Sequence, residues 1–374
     1  MTEIYLIRHA QAEGNLYRAM QGHWDGDVTA LGLRQIDALS ARFAGVRVDA
    51  LYSSDLKRAM LTAGAIARLP GAPALRTDPD LREINVGPWE ARFFADAAHE
   101  QPDKMDLFID HAEEFRLDGA ESYHDVRSRA AAALERIARE NDGRTVAVVS
   151  HGVTIRCLLS HMLRRSLDDP SLPICGNTGV THLFFEDGSF RIDYINDCAH
   201  LAALALPERE RTPNLRGETI DPAAETDYYS ACYTDAWQTV HGTLRGFSPR
   251  PYLDAACRHH QSDPGAVIKI YDGDEPVGLV DMDSRRGEHA NYGWISLLYL
   301  CEGYRGRGMG VQLLGRALMH YRIMGRAAVR LHVAEKNTAA LRFYTAHGFR
   351  RLSSEDGGFG RTYLMEYRFG ESHV

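Results

Sequence analysis

Two apolar runs in the first half of the chain end in the same way. Ile4-Tyr-Leu-Ile7 leads into Arg8-His9, and Thr145-Val-Ala-Val-Val-Ser150 leads into His151-Gly152. Both runs are continuously apolar rather than alternating, the pattern of strands buried on both faces of a parallel sheet. Parallel strands need crossover connections, so the chain between them must supply helices that cover both faces. Ligands of open α/β sheets gather at the carboxyl ends of the strands. One strand surfacing into a polar pair is ordinary; two that each deliver a histidine constrain both fold and chemistry.

The intervening sequence meets this demand. Thr29 is a predicted N-cap for a helix over 30–43 with Leu33, Ile36, Leu39 and Phe43 on one face. Val48–Tyr52 reads as a strand, and Ser53-Ser54-Asp55 as the cap of a helix carrying Lys57, Arg58, Leu61, Ala65 and Ile66. Residues 91–139 read as helices, 153–163 as another, and 180–185 and 190–195 as strands. The alternation predicts a three-layer α/β/α domain. Its chemistry-bearing residues are two strand-end histidines, Arg8, Arg58 and Glu83, which precedes a Gly87-Pro88 break. Guanidinium forks bind phosphate oxygens in bidentate fashion. One imidazole can take a phosphoryl group covalently. A second, partly protonated near neutral pH, can stabilise developing charge. A glutamic acid can protonate the leaving oxygen and then activate water.

Leu-Ile-Arg-His-Ala-Gln-Ala-Glu-x-Asn at 6–15, Ser-Ser-Asp-Leu-Lys-Arg-Ala at 53–59, Leu-Arg-Glu-x-x-x-Gly-x-Trp-Glu at 81–90, Ala-Glu-Ser at 120–122 and Val-Ser-His-Gly-Val at 149–153 stand in one order. With these blocks residues 1–205 resemble the histidine phosphatase, or phosphoglycerate mutase-like, superfamily. The resemblance implies a phosphomonoester substrate and His9 as phospho-acceptor. It makes Arg8, Arg58 and His151 the rest of the phosphate pocket, with Asn15, Gln21, Gly22 and Gly152 as its substrate-binding neighbours and Glu83 as proton donor. Mutases of the family carry Glu-Arg-His-Tyr-Gly at the acid; Glu83-Ile-Asn-Val-Gly87 with Pro-Trp-Glu after it looks like the phosphatase branch. Ala10-Gln11 and Ala91 depart from the common pattern and bear on which substrate fits. The insert from Phe93 to Leu117 is expected to line that pocket.

Pro207-Glu-Arg-Glu-Arg-Thr-Pro-Asn214 is charged and bounded by prolines, which places a linker at 206–214 and a second domain at 215–374. There, helices are predicted over 223–240 and 251–259, a hairpin at 267–282 around Asp272-Gly-Asp-Glu275, and a strand at 293–300. Tyr304-Arg-Gly-Arg-Gly-Met-Gly310 then opens a helix at 311–321, an arrangement that can cradle a pyrophosphate with backbone N–H groups. The spacing is neither a dinucleotide fingerprint nor a Walker loop. A strand at 328–333 and a helix from Asn337 to Gly348 follow. Arg305-x-x-Gly308-x-Gly310 together with Asn337-x-x-Ala-x-x-Phe-Tyr344-x-x-x-Gly-Phe349 resembles the GNAT-type N-acetyltransferase family, a mixed α/β fold. The resemblance implies acetyl-CoA as co-substrate and an amine, on a small molecule or a peptide, as acceptor. It implies cofactor contacts from the backbone of Leu298 and Leu300, from the loop Arg305, Gly306, Arg307, Gly308, Met309 and Gly310, and from Asn337, with Tyr344 protonating the departing thiolate. Family members often carry a carboxylate base on the strand before the loop; Ile295-Ser-Leu-Leu-Tyr-Leu300 has none, so the base is unassigned.

Composition limits the alternatives. A net charge of −8 argues against general binding to nucleic acid or membrane surfaces. The 6 cysteines include no Cys-x-x-Cys pair, so neither a disulfide framework nor a zinc site is expected and no metal is required. The chain enters a strand at once and has no apolar run long enough to span a bilayer, which predicts a cytoplasmic enzyme. The expected function is bifunctional: phosphomonoester hydrolysis through phospho-His9, and acetyl transfer, with the two reactions serving one pathway. The rivals are a mutase in the first half, an acetyl-CoA-sensing regulatory second half, and a scaffold in both.

Overall fold

In the computed structural model the 374-residue chain forms two compact units, Met1–Glu208 and Arg209–Val374. Residues 1–204, 212–357 and 359–370 are described. The expected linker at 206–214 falls largely on 205–211, outside the described residues.

The first unit is built on a six-stranded sheet of β1 (Thr2–Arg8), β2 (Ala50–Ser53), β3 (Leu75–Thr77), β4 (Thr145–Ser150), β5 (Val180–Glu186) and β6 (Ser189–Asp197), in the order β3-β2-β4-β1-β5-β6. The first four are parallel; β5 and β6 run antiparallel, joined by Asp187-Gly188, both at positive φ (49° and 76°) as a two-residue hairpin requires. The helices are α1 (Glu13–Tyr17), α2 (Ala30–Phe43), α3 (Lys57–Ala67), α4 (Phe94–Glu100), α5 (Pro102–Asp110), α6 (Tyr123–Glu140) and α7 (Gly152–Leu163). Alternate residues of β1 point to opposite layers. Ile4 and Leu6 pack with Leu134 and Ile137 of α6 and Leu158 of α7; Ile7 packs with Ile36, Leu39 and Phe43 of α2 and Ala63 and Ile66 of α3. This is the three-layer domain expected.

Three local features bear on the site. The polar stretch after His9 forms α1, and Asn15 takes the third position of its first turn, where its Oδ1 accepts the Ala12 N–H at 3.1 Å. The helix bearing Arg58 begins after Leu56, because Ser53 ends β2 and Asp55 is held by the Arg82 fork at 2.6 Å. The insert expected over the phosphate pocket places Phe108 and Phe115 against Trp89 and Tyr123, a buried aromatic cluster.

In the second unit β7 (Arg216–Thr219), β8 (Val267–Asp272), β9 (Glu275–Asp283), β10 (Tyr292–Leu300), β11 (Ala328–Ala334), β12 (Arg350–Gly357) and β13 (Gly360–Arg368) form one sheet, β12-β13-β11-β10-β9-β8-β7. Its helices are α8 (Thr226–His241), α9 (Arg250–Ser262), α10 (Gly310–Ile323) and α11 (Thr338–Ala346). Only β10 and β11 are parallel, and they pair from Tyr292↔Ala328 to Ile295↔Leu331 and no further. A bulge interrupts the pairing of β10 with β9 between Ile295 and Leu297. Beyond it β10 keeps β9 as partner but loses β11, so one edge of Leu297–Leu300 is unpaired within the sheet.

Truncating Leu6, buried between β4 and α6–α7, leaves a cavity in the layer that positions both strand ends. Leu6→Ala is expected to lower unfolding free energy by about 2–5 kcal/mol, read from urea melts of the first unit's transition.

Candidate active sites

The first site follows from register. β1 and β4 are parallel neighbours with Arg8 opposite Ser150, so His9 and His151 leave the sheet side by side. The His9 N–H donates to the Ser150 carbonyl at 2.9 Å, carrying the ladder one step further, and the two rings lie 5.1 Å apart between centroids. Arg8 donates to the Cys175 carbonyl, and a Cβ at position 152 would stand 3.3 Å from its guanidinium carbon, so Gly152 lets the fork pass. Arg58 is fully buried and donates to the carbonyls of Gly22 (2.7 Å), Trp24 (3.1 Å) and Gln21 (3.2 Å). Gln21 accepts the Gly14 N–H at 2.9 Å.

Those bonds leave a remainder. Arg8 Nε, Arg58 Nε, Gln21 Nε2 and both ring nitrogens of His151 are buried with no hydrogen-bond partner. Unmatched buried polar atoms are rare and each demands an explanation. Here they come from the residues expected to surround one phosphate. The charge of Glu83 reaches both arginines, and its carboxylate accepts from Val153 N (3.2 Å), Thr154 N (3.0 Å) and Thr154 Oγ1 (3.2 Å) at the start of α7. Asn15 joins through Asn177, which donates to Asn15 Oδ1 at 3.3 Å and to the His9 carbonyl at 3.0 Å.

Burial first, then the Arg58 and Arg8 charges, hold the His9 imidazole well below its usual range, so it is neutral. Its Nδ1 lies 2.7 Å from the Ala10 carbonyl. A carbonyl can only accept, so Nδ1 carries the proton and Nε2 the lone pair. Burial, Arg58, His9 and Arg8 likewise depress His151, which corrects the expectation of partial protonation near neutral pH: in the ligand-free pocket it is a neutral donor–acceptor. Several supporting residues escaped sequence reasoning. Arg129 donates to the Glu83 carbonyl at 3.0 Å, His23 Nε2 sits 3.0 Å from the same oxygen, and Glu90 accepts the N–H groups of His23 (2.8 Å) and Trp24 (2.6 Å). Only Thr154, a first-turn hydroxyl after His151-Gly152, left a local signal.

In the second unit Gly306 and Gly308 adopt positive φ (73° and 77°), and a Cβ on either would meet nothing within 4 Å. Met309, at the N-cap of α10, offers no side-chain cap, so the loop ends at helix amides open to an anion. Arg305 turns its guanidinium inward to the Leu300 carbonyl (2.6 Å), Thr239 (2.9 Å) and Asp235, so its side chain anchors the loop to α8. Asn337 caps α11, accepting Ala340 N–H at 3.1 Å. Tyr344 is buried against Phe343 and Phe349, and burial raises its phenol, keeping the proton in place. The unpaired edge at Leu297–Leu300, the open loop and the uncapped helix fit an extended thioester carrying a pyrophosphate.

A cavity of about 880 Å³ opens where β10 and β11 part, lined by Tyr229, Asp281, Asp283, Trp294, Ser296 and His332 among others. Asp281 is buried and accepts from Tyr229 and from His259 Nδ1, each at 2.7 Å; His259 Nε2 lies 3.3 Å from Asp283. Against burial, which works the other way, these bonds raise His259 to about 9, while the bond to His259 takes Asp283 down to about 2. His332 differs: desolvation, with a smaller part from Arg286, lowers it against the pull of Glu355 4.0 Å from its Nε2, and its ring meets Trp294 edge-on at 4.9 Å. A carboxylate inside the apolar run Val277–Met282 was the legible signal for this site.

Comparison with known proteins assigns families to the two units. The model of the histidine phosphatase superfamily (branch 1) matches residues 4–198, and that of the acetyltransferase (GNAT) family matches 225–349. A metal-independent phosphoserine phosphatase of Arabidopsis thaliana is 31% identical over 211 residues, 56% of this chain and 87% of the relative. A probable phosphoglycerate mutase, GpmB, of Proteus mirabilis (strain HI4320) is 29% identical over 216 residues, 56% of this chain and all of the relative. The solved structure of Bacillus stearothermophilus YhfR is similar with a TM-score of 0.52 and 30% identity, covering 54% of this chain and 100% of its own. The chain belongs to the histidine phosphatase superfamily. A GNAT-family domain follows in the same chain, so a phosphatase is joined to an acetyltransferase domain of a kind that implies acetyl-CoA, and a mutase is not favoured over the phosphatase. Among the described residues no helix is long and apolar enough to cross a membrane.

Because His9 and His151 are neutral in the fold and become imidazolium in the unfolded chain below about pH 6.5, unfolding takes up protons there. Stability is expected to fall as pH drops from 6.5 toward 5. Changing both to Asn should flatten that slope by up to about 1.4 kcal/mol per pH unit for each group, measured from urea midpoints at several pH values.

Proposed function

We propose that residues 1–205 hydrolyse a small phosphomonoester through phospho-His9, and that residues 215–374 transfer an acetyl group from acetyl-CoA to an amine. The observation that carries the first half is the set of unmatched buried nitrogens on Arg8, Arg58, Gln21 and His151 around a histidine whose Nε2 holds a free lone pair. His9 Nε2 attacks phosphorus and the ester P–O bond breaks. Glu83, aimed by Val153, Thr154 and the start of α7, gives its proton to the leaving oxygen. Glu83 then takes a proton from water as that water attacks phosphorus, the P–N bond breaks and phosphate leaves. The arginines, Gln21 and His151 neutralise the transferring group, with Asn15, Gly22 and Gly152 shaping its surroundings. The Arabidopsis thaliana relative is a phosphoserine phosphatase, which makes a phosphorylated hydroxy amino acid the substrate class to test first.

In the second half acetyl-CoA supplies the thioester. The loop 305–310 and the start of α10 hold its pyrophosphate, the free edge of Leu298 and Leu300 pairs with its arm, Asn337 holds the helix beside it, and Tyr344 protonates the thiolate. His332 fills the vacant role of base. It is the neutral imidazole lining the cavity, one residue past the last β10–β11 pair, whereas His259 is a cation and Asp281 and Asp283 are bound to it.

Phosphate release from a panel of small phosphomonoesters in EDTA is expected for the native chain, and His9→Ala should lower it by about 10³-fold or more; release that survives the substitution removes His9 from the chemistry. His332→Gln is expected to lower kcat for acetyl transfer by about 10²-fold and to abolish the acid limb of its pH profile, since only the neutral imidazole accepts a proton.

A further inference from the structure

The wall of the cavity at the β10–β11 splay carries more positive charge than its acids can balance. Asp281 and Asp283 are both bound to the His259 imidazolium, and Asp281 also accepts from Tyr229. The same wall presents Arg258 from α9 and Arg285 and Arg286 from the turn after β9. Among the described residues none of these three guanidiniums has a carboxylate partner, in a chain whose net charge is −8. Exposed arginines are commonly solvated, but Arg286 is set in place and Arg285 shares its turn. Asp283 Oδ1 accepts the backbone N–H groups of Arg285 (3.1 Å) and Arg286 (2.9 Å), which fixes the turn. The Arg286 guanidinium then lies over the Trp294 ring, 3.5 Å from its centroid, and its charge reaches His332. A fork held flat on an aromatic wall, beside the base, is pre-organised for a planar or tetrahedral oxyanion.

We propose that the acetyl acceptor is an amine that also carries an anionic group, a carboxylate or a phosphate, read by Arg258, Arg285 and Arg286 while the amine faces His332. This rests on the acetyltransferase reading above. In the step, the amine nitrogen attacks the thioester carbonyl and a C–N bond forms. The C–S bond breaks, the nitrogen's proton passes to His332, and the thiolate takes a proton from Tyr344. The products are an N-acetylated anion and free thiol. The placement also fits a reaction order: removal of phosphate from a phosphorylated amino acid leaves an amine that still bears a carboxylate, the chemistry these arginines recognise.

The test uses the full chain carrying His9→Ala, so that phosphate esters persist, with acetyl-CoA and thiol release as the readout. The amines are ethanolamine, L-serine, O-phosphoethanolamine and O-phospho-L-serine. The expected result is kcat/KM at least about tenfold higher for an anionic amine than for ethanolamine. Serine alone would mark the carboxylate as the group read, and O-phosphoethanolamine the phosphate. Arg285→Ala with Arg286→Ala should raise KM for the preferred amine by about tenfold and shrink the preference. Ethanolamine equal to or better than the anionic amines, or no amine accepted while calorimetry shows coenzyme A binding, overturns the proposal. Absence of coenzyme A binding would instead remove the acetyltransferase reading on which it stands.

Discussion

The parallel pairing of β1 with β4 is the constraint on which the first site depends. Matched ends at Arg8 and Ser150 put two imidazoles at adjacent exits of the sheet, and the ladder continues through the His9 N–H, so neither strand can slip by one residue without turning a histidine to the opposite layer. The rest is built to feed that point. α2 and α3 cover one face and bring Arg58; α6 and α7 cover the other and bring Arg129 and the amides that hold Glu83. A buried guanidinium is unfavourable unless its donors are met. Arg58 meets three backbone carbonyls and keeps one nitrogen in reserve, which fixes its orientation before any anion arrives.

Electrostatics divides the histidines by task. His9 and His151 are neutral because they are dry and face cations; His332 is more open, and its loss of solvent, with Arg286, lowers it against Glu355 4.0 Å away. His259 is the opposite case: flanked by Asp281 and Asp283, it stays an imidazolium and acts as a structural cation that ties α9 to β9. The same side chain thus rests as a neutral ring or as a fixed charge according to what surrounds it.

Much of this was legible because the informative residues sit where periodicity changes. A continuous apolar run that stops at Arg8-His9 or Ser150-His151 announces a strand end and its cargo together. The glycines at 306, 308 and 310 likewise announce a loop before a helix. What stayed hidden was assembled from distant parts of the chain. Arg129 reaches Glu83 across 46 residues, Asn177 reaches Asn15 across 162, and His259 meets Asp281 only because α9 lies on β9. None of these partners has a local spacing to betray it. Arg305 shows the converse: its motif position was plain, yet its guanidinium is committed to Asp235, a partner 70 residues away.

The bulge of β10 explains why one strand can serve two purposes. A fully paired parallel β10–β11 ladder would satisfy every amide and leave no room for a ligand arm. By shifting register at Ser296 against β9, β10 keeps its antiparallel partner, stays ordered, and frees its other edge from Leu297 onward. The cavity is lined by Trp294, Ile295 and Ser296 at this bulge and by His332 of β11, so the place where hydrogen bonding is given up also gathers an imidazole, a fixed arginine and an unpaired edge. Restoring the register would let the edge pair again, at the strand that lines the cavity. That coupling makes the bulge, rather than any single side chain, the element on which the second site turns.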